Sequence, residues 1–454
     1  MTTCTPRAAW INLLRRLHFS VGLFVGPFIF IAALTGTLYV ATPQLENIIF
    51  HEALTADGRG EEKPLADQIA AAQSATGDNS LLYAVRPAPE IGETTRVMFR
   101  SAELGASESR ALFIDPVTLA VKGDMTVYGT SGVLPLRMWI DKMHRALLLG
   151  DYGRVYSELA ASWMWIAACG GIALWFFTRP RRRINNPVQN NRRLHVTAGW
   201  LLLVGMLLFS ATGLTWSQWA GGNVDRLRAN LNWMTPQVNT RLGGMDAQND
   251  PHADHHQGHG GMVMPSSSPA LYDAVLQLAR RGGIDASKVE IRPPKARGYA
   301  WTVTEVDRSW PTRVDAVAVD ADTMQIVDRT RFADFPLMAK LTRWGVDFHM
   351  GVLFGLANQL LLIAFGLALC GMILVGYRLW WIRRPSAPSA GQLRVLTQSW
   401  LDLPAGGRVF TLVIAAALGG ALPVMGASLL LFVVIDVLRW RKGLRGARSE
   451  VVRP

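Results

Sequence analysis

Long apolar runs alternate with polar, mixed-charge stretches along this chain. The clear runs are 17–39, about 159–177, 194–216 and about 352–377, each close to the ~20 residues that cross a ~30 Å hydrocarbon core. A fifth run, 409–438, is too long for one ordinary span and is interrupted by Gly419-Gly420-Ala421-Leu422-Pro423. That interruption predicts two short helices joined by a tight turn, and so six spans in all.

The polar stretch after the first run reads as a small α+β domain. Helical spacing covers 65–75, and strand-like alternation covers 80–85, 94–100, 111–114 and 119–122, with the turn Asp115-Pro116-Val117-Thr118 before the last strand. The same order returns later: a helix at 271–280, strands at 289–292, 300–305, 314–319 and 325–328, and the turn Asp320-Ala321-Asp322-Thr323. Leu65 and Leu271 are 206 residues apart, as are Arg86-Pro87 and Arg292-Pro293, while Asp115 and Asp320 are 205 apart.

The apolar runs repeat as well. Arg15-Arg16-Leu17-His18 with Gly22 recurs as Arg192-Arg193-Leu194-His195 with Gly199, offset by 177 residues. Each of these histidines lies 18 residues before the glycine of a Thr-Gly pair, Thr35-Gly36 and Thr212-Gly213. His144 and His349 each follow their turn aspartate by 29 residues and precede an Arg-Pro helix stop, at Pro180 and Pro385, by 36. The chain is therefore an internal duplication of a unit made of helix, α+β domain and helix. The second copy is longer by about 29 residues, between Gly213 and Leu271. That insertion holds His252, His255, His256, His259, Met262 and Met264.

Composition fits a membrane protein: 454 residues, 50% hydrophobic, with a formal charge of +12. The charge is concentrated in the N-terminal tail, residues 179–193, residues 378–408 and the tail from Arg439, with net charges of +3, +6, +4 and +5, so the remainder is acidic. Cationic loops stay in the cytoplasm. All four segments share that side if there are six spans, which puts both termini in the cytoplasm and the α+β domains outside. These arginines are read as topology signals, and no nucleic-acid partner is expected. The N-terminal run is too long, and too poor in cleavage-site residues, for a signal peptide, so it is expected to be a retained anchor. Cys4, Cys169 and Cys370 make no disulfide framework.

Two histidine-bearing helix pairs, each bracketing a small domain with an Asp-Pro-x-Thr-type turn, resemble the PepSY-associated transmembrane family. The Leu-His-x-x-x-Gly helix start and the Arg-Pro helix end fit the same pattern, and the resemblance covers about residues 10–440. Departures are the His/Met-rich insertion, the terminal hairpin and the second turn, which lacks the proline. The resemblance implies a bacterial inner-membrane, multi-pass protein, similar to inner-membrane ferric-siderophore reductases that carry two b-type haems. Its expected fold is a mainly α-helical bundle of about six transmembrane helices with two small extracytoplasmic PepSY-like domains. The expected order begins with a first transmembrane helix (10–42), a first PepSY-like domain (43–132), an interfacial segment with the second helix (133–180) and a cytoplasmic loop (181–193). A third helix (194–217) and a second PepSY-like domain (218–334), with the insertion at 243–264, come next. An interfacial segment with the fourth helix (335–385), a cytoplasmic loop (386–407), a transmembrane hairpin (408–440) and a cytoplasmic tail (441–454) complete the chain.

Outside the insertion the chain has five histidines, and four form repeat-related pairs. A parallel duplication relates its halves by a pseudo-twofold axis along the membrane normal, so equivalent residues face one another across it. Low-spin haem takes one axial ligand from each side. Two bis-histidine b haems are therefore expected, one on His18 and His195 near the cytoplasmic face and one on His144 and His349 near the external face. Pairing of His18 with His144 is disfavoured, because they lie near opposite faces. His51 has no repeat partner and reads as an ordinary polar residue. Arg16 and Arg193, with Arg15 and Arg192, suit either haem propionates or the flanks of a span. Gly22, Gly26, Gly36, Gly199, Gly205 and Gly213 suit close approach to a helix or a flat cofactor. The insertion histidines, His252, His255, His256 and His259, with the two methionines, suit an accessory soft-metal site or a solvated linker, and their spacing matches no closed structural site.

The expected function is thus an oxidoreductase that passes electrons across the bilayer to a ferric siderophore or other metal chelate. The chain carries no dinucleotide fingerprint and no flavin motif, so the donor is a cytoplasmic protein or the quinone pool. Trp301, Trp310, Arg292 and Arg297 are candidate chelate contacts. The alternatives are a membrane-anchored PepSY-type regulator, a transporter and a cupric reductase. The regulator and the transporter have no need of symmetric histidine pairs.

Overall fold

The computed structural model describes residues 5–77, 80–178, 186–242, 268–383 and 396–451, with side chains to 442. The first repeat runs through helices α1 (Pro6–Phe24), α2 (Gly26–Ile49), α3 (His51–Leu54) and α4 (Leu65–Thr76). Strands β1 (Leu81–Arg86), β2 (Thr95–Arg100), β3 (Glu108–Ile114) and β4 (Val121–Tyr128) follow, then α5 (Pro135–Ala146) and α6 (Gly150–Phe177). The second repeat has α7 (Pro187–Thr215), α8 (Trp219–Asn230) and α9 (Ala270–Arg281), strands β5 (Val289–Arg292), β6 (Trp301–Glu305), β7 (Ala316–Asp320) and β8 (Gln325–Thr330), then α10 (Leu337–His349) and α11 (Gly355–Ile382). Beyond the repeats lie α12 (Leu396–Leu401), α13 (Ala405–Ala421) and α14 (Pro423–Val451). The chain forms two units, one of Met1–Leu38, Asp141–Leu227 and Leu360–Pro454, the other of Tyr39–Ile140 and Arg228–Gln359.

The first unit is helical. Val21, Ile29, Trp163, Met164, Leu202, Met206 and Leu369 bury their side chains together in its core. Outward positions such as Leu201, Val204, Leu367 and Leu374 are exposed and apolar. A helix apolar on every side needs an apolar solvent, which is lipid. Among the described residues, five helices are long and apolar enough to cross a membrane: Gly26–Ile49, Gly150–Phe177, Pro187–Thr215, Gly355–Ile382 and the Pro423–Lys442 part of α14. The expected sixth span corresponds to α13, whose 17 residues rise only ~25 Å. The first expected run is divided, because Pro27 has no N–H to offer; α1 closes with Val25 N–H on the Val21 carbonyl, and α2 begins at Gly26.

Two buried carboxylates in the longer helices are spent on helix starts. Glu158, fully buried in α6, accepts the backbone N–H groups of Trp219 and Ala220 at the start of α8, at 3.0 and 3.2 Å. Asp436 of α14 does the same for Leu396 and Thr397 of α12, at 3.2 and 2.7 Å. Both satisfy donors that the first helical turn leaves unpaired. The apolar run at about 159–177 lies within α6, which begins at Gly150 and takes Glu158 into the helix.

The second unit is built on one eight-stranded sheet of order β4-β3-β2-β1-β5-β6-β7-β8. The two expected domains are thus two halves of a single antiparallel sheet. Val85 of β1 pairs with Ile291 of β5, and both are fully buried. The pairing covers two strand edges that would otherwise be open to other chains. Helices α4 and α9 lie on one face, where Ile69 and Ala72 meet Tyr272, Val275, Phe99 and Trp301 in a shared core. Asp273 of α9 accepts the N–H groups of Leu65 and Ala66 at 2.9 and 3.0 Å, so the second half caps the helix of the first. Both turn aspartates work as expected. Asp115 accepts from Val117 and Thr118, and Asp320 accepts from the Asp322 N–H and the Thr323 hydroxyl, so the second turn holds its shape without proline.

Candidate functional site

His18 of α1 and His195 of α7 come together inside the helical unit, with ring centroids 6.3 Å apart and planes at 72°. Neither ring is free to turn. His18 Nδ1 lies 3.0 Å from the Ala167 carbonyl oxygen of α6, and His195 Nδ1 lies 3.1 Å from that of Met372 of α11. A carbonyl can only accept, so Nδ1 carries the proton on each ring. The nitrogen left with a lone pair is then Nε2, the form of imidazole that ligates a metal.

The supports are themselves repeat-related, since Ala167 and Met372 are 205 residues apart. So are Gly171 and Gly376, which face the same two rings. A β-carbon at Gly171 would stand 3.0 Å from His18 Cε1, and one at Gly376 would stand 3.4 Å from His195 Cε1. Five of the six glycines flagged in the sequence divide into two kinds. At Gly26, Gly205 and Gly213 a β-carbon would press on Tyr377, Phe365 and Ala161, so these glycines let helices meet closely. At Gly22, one turn after His18, no described atom lies within 4 Å of the β-carbon position, and at Gly199, one turn after His195, the nearest is Met372 Sδ at 3.9 Å.

These residues fit a haem between the rings. Two ring centroids 6.3 Å apart suit one metal held by an imidazole from each helix. Among the described residues no group of three or more His, Cys, Asp or Glu suits a bare metal ion. Two imidazoles beside small residues suit a cofactor that brings its own equatorial ligands.

His144, on α5, has a matching support. Its Nδ1 lies 3.0 Å from Thr35 Oγ1. The Thr35 hydroxyl donates to the Ile31 carbonyl at 2.7 Å, so its oxygen accepts from His144 Nδ1–H and Nε2 again keeps the lone pair. Gly36 makes room for the ring, with 3.2 Å between its β-carbon position and His144 Cε1. Tyr156 donates its hydroxyl to the His144 carbonyl at 2.6 Å. The Thr-Gly pair read from the sequence therefore has a defined task in the first repeat. His349 is the last residue of α10, in the sheet unit, and is partly buried.

The remaining candidates are distributed as follows. Arg16 is partly buried and Arg193 is exposed. Arg192 is engaged at the end of α6, where it donates to the carbonyl and hydroxyl of Thr178 at 2.9 and 3.0 Å. His51 is exposed on α3. His252, His255, His256 and His259 lie outside the described residues. Trp301 is a core residue stacked edge-on against Tyr272, and Arg292 is paired with Glu290; Trp310 and Arg297 are exposed. Sequence reasoning missed Ala167, Met372, Gly171 and Gly376. The signal for them was present, because they keep the 205-residue register of His144 and His349.

Comparison with curated proteins gives no match. The PepSY-associated TM region family matches residues 15–383, which takes in both histidine pairs and the whole sheet. This multi-pass membrane chain belongs to the PepSY-associated transmembrane family.

Proposed function

We propose that this chain is an inner-membrane dihaem b reductase that passes electrons across the bilayer to an external ferric siderophore, so that iron is released. The observation that carries this reading is the His18–His195 pair, 6.3 Å apart, with each Nδ1 held by a carbonyl from equivalent places in the two repeats. A structural histidine pair needs neither matched supports nor matched glycines.

When bound, haem b supplies a reversible one-electron couple whose potential follows its axial ligands and its burial. His18 and His195 bind through Nε2, and the carbonyls of Ala167 and Met372 fix the tautomer and the ring planes. His144 and His349 are the second pair by the repeat, and Thr35 orients His144. The apolar core around Val21, Trp163, Met164 and Leu202 excludes water from the first pair. Thr35, which orients His144, lies 17 residues after His18 and in the next helix, so the two histidine levels serve different depths of a ~30 Å insulating layer.

The substrate follows from the chemistry of iron. Hard oxygen ligands hold Fe(III) tightly and Fe(II) much less so, because lower charge weakens each bond. One electron added to the ferric chelate therefore releases Fe(II) and leaves the chelator intact. The electron comes from a cytoplasmic reductant or a quinol, since the chain has no motif for a soluble redox cofactor.

The test is the visible spectrum of the purified protein, followed by reoxidation of dithionite-reduced protein by a ferric siderophore with a ferrous trap. Two b haems and the appearance of Fe(II) are expected, and His18→Ala should remove about one haem per chain. Absence of haem b, or full haem content in all four single His→Ala variants, would overturn the proposal.

A further inference from the structure

Arg137 sits in the first turn of α5, in the sheet unit. Its backbone N–H donates to Glu46 at 2.8 Å, and its guanidinium lies over the Tyr39 ring, 4.5 Å from the centroid. Its Nε and Nη2 are buried and have no hydrogen-bond partner. Those two nitrogens form one edge of the guanidinium fork, the edge that grips a carboxylate through two parallel bonds. The same chain uses that edge elsewhere: Arg110 holds Asp124 through Nε and Nη2 at 2.9 and 2.5 Å. A buried, unpaired fork is costly, and such charges are normally paired.

Tyr39 also lies within electrostatic reach of Arg308. Arg308 is already engaged: Nε and Nη2 meet Asp347 Oδ1 at 2.7 and 2.6 Å, and Nη1 donates to the Ser131 hydroxyl. Arg343 takes the other oxygen of Asp347 at 2.9 Å. Asp347 is fully buried. Arg137 and Arg96 thus stand against the carboxylate of Glu46, and Arg308 and Arg343 against that of Asp347, and the uncommitted donors are Nε and Nη2 of Arg137. His349 follows Asp347 by two residues on α10.

We infer that Arg137, backed by Tyr39 and the Arg308–Asp347–Arg343 cluster, is a binding site for a carboxylate, and that its occupant is a propionate of the haem held by His349. The identity of the occupant rests on the dihaem reading above. The donor set selects the chemistry, because a free Nε/Nη2 edge matches a planar, two-oxygen anion better than a point charge.

The test uses full-length protein in nanodiscs of neutral lipid and in nanodiscs with added anionic phospholipid, with Arg137→Gln, Arg137→Lys and Arg137→Met beside the unsubstituted chain. Removing a cation beside a haem carboxylate disfavours the reduced state, so Arg137→Gln should lower the midpoint potential of one haem and leave the other unchanged. Arg137→Lys, which keeps the charge and loses the fork, should fall between. Arg137→Met should lower the thermal midpoint of the haem-loaded protein and raise that of the haem-free protein, where it removes an unpaired buried charge. Two haems with potentials unchanged in Arg137→Gln would overturn this inference and leave the reductase reading standing. No haem in the unsubstituted protein would overturn both. If the thermal effect of Arg137→Met instead follows the content of anionic phospholipid and ignores haem loading, the occupant is a lipid phosphate and the propionate assignment fails.

Discussion

Gly171 lies against the imidazole of His18, close enough that a β-carbon there would stand 3.0 Å from Cε1. A side chain there would be tighter than ordinary van der Waals packing, and the ring's Nδ1 is already held by the Ala167 carbonyl one turn earlier on the same helix. Gly171→Val should therefore displace the ring and lose about one haem per chain, with the second retained. Gly376→Val should act the same way on His195, more mildly, since its spacing is 3.4 Å. Gly222→Ala, with no described atom within 4 Å of its β-carbon position, is the control and should keep both. Haem counting by the pyridine haemochrome method decides; full content in Gly171→Val would mean that the ring has another place to go.

Thr35 tests the second ligand level. Its oxygen accepts the His144 Nδ1 proton, and an outer partner of this kind is worth about 10- to 100-fold in ligand affinity. Thr35→Val should weaken retention of one haem by about that factor, while Thr35→Ser, which keeps the hydroxyl, should restore it. Equal haem loss from both variants would point to packing of the Thr methyl in place of the hydrogen bond.

Glu290 tests the join between the two halves of the sheet. It is buried between Arg86, at 2.6 Å, and Arg292, also at 2.6 Å. Burial alone would raise its carboxyl, but the two guanidiniums overcome it and hold the group below the usual carboxylate range. A folded-state value below the unfolded one stabilises the protein above the unfolded value, and that contribution is lost as pH falls through the folded one. Glu290→Gln should cost about 3 kcal/mol, as for a buried pair that loses one partner, and should flatten the acid side of the stability profile. A variant that melts like the parent at neutral pH would show that the pair is energetically idle.

Much of this is legible in the sequence. The helix expected at 65–75 is α4, Leu65–Thr76, and the strand expected at 289–292 is β5, because alternation and turn chemistry fix such elements locally. The repeat offsets brought His18 to His195, since a duplication constrains position without any knowledge of packing. Two things were not local. The pairing of Val85 with Ile291 joins strands some two hundred residues apart, and nothing in either strand names its partner. The standing of Arg137 depends on what fails to reach it after folding, which no reading of spacing can supply. Arg16 and Arg193 looked equivalent in the repeat, yet one is partly buried and the other exposed.

The charge distribution makes a topological prediction. The basic segments should remain cytoplasmic, which puts the sheet unit on the opposite side from the loop between α6 and α7. Reporter fusions at Gly105, between β2 and β3, and at Pro187, the first residue of α7, should report opposite compartments. The same compartment for both would sink the proposed direction of electron flow, whatever the haem content.

The insertion at 243–264 decides the metal. It belongs to the second repeat only, and the first repeat builds its helix and strands without a counterpart, so deletion of residues 245–264 should leave both haems and the thermal midpoint unchanged. Its imidazoles and thioethers suit copper better than the oxygen-bound iron of a siderophore. For a siderophore reductase, the deleted protein reduced with dithionite should reoxidise with a ferric siderophore at the parent rate, and cupric ion should give no faster reaction in the parent. Suppose instead that reduced parent protein ignores ferric chelates, reacts rapidly with cupric ion, and loses that reaction when the insertion is deleted. The substrate is then copper, delivered by the insertion, and the siderophore reading fails while the histidine pairs keep their role.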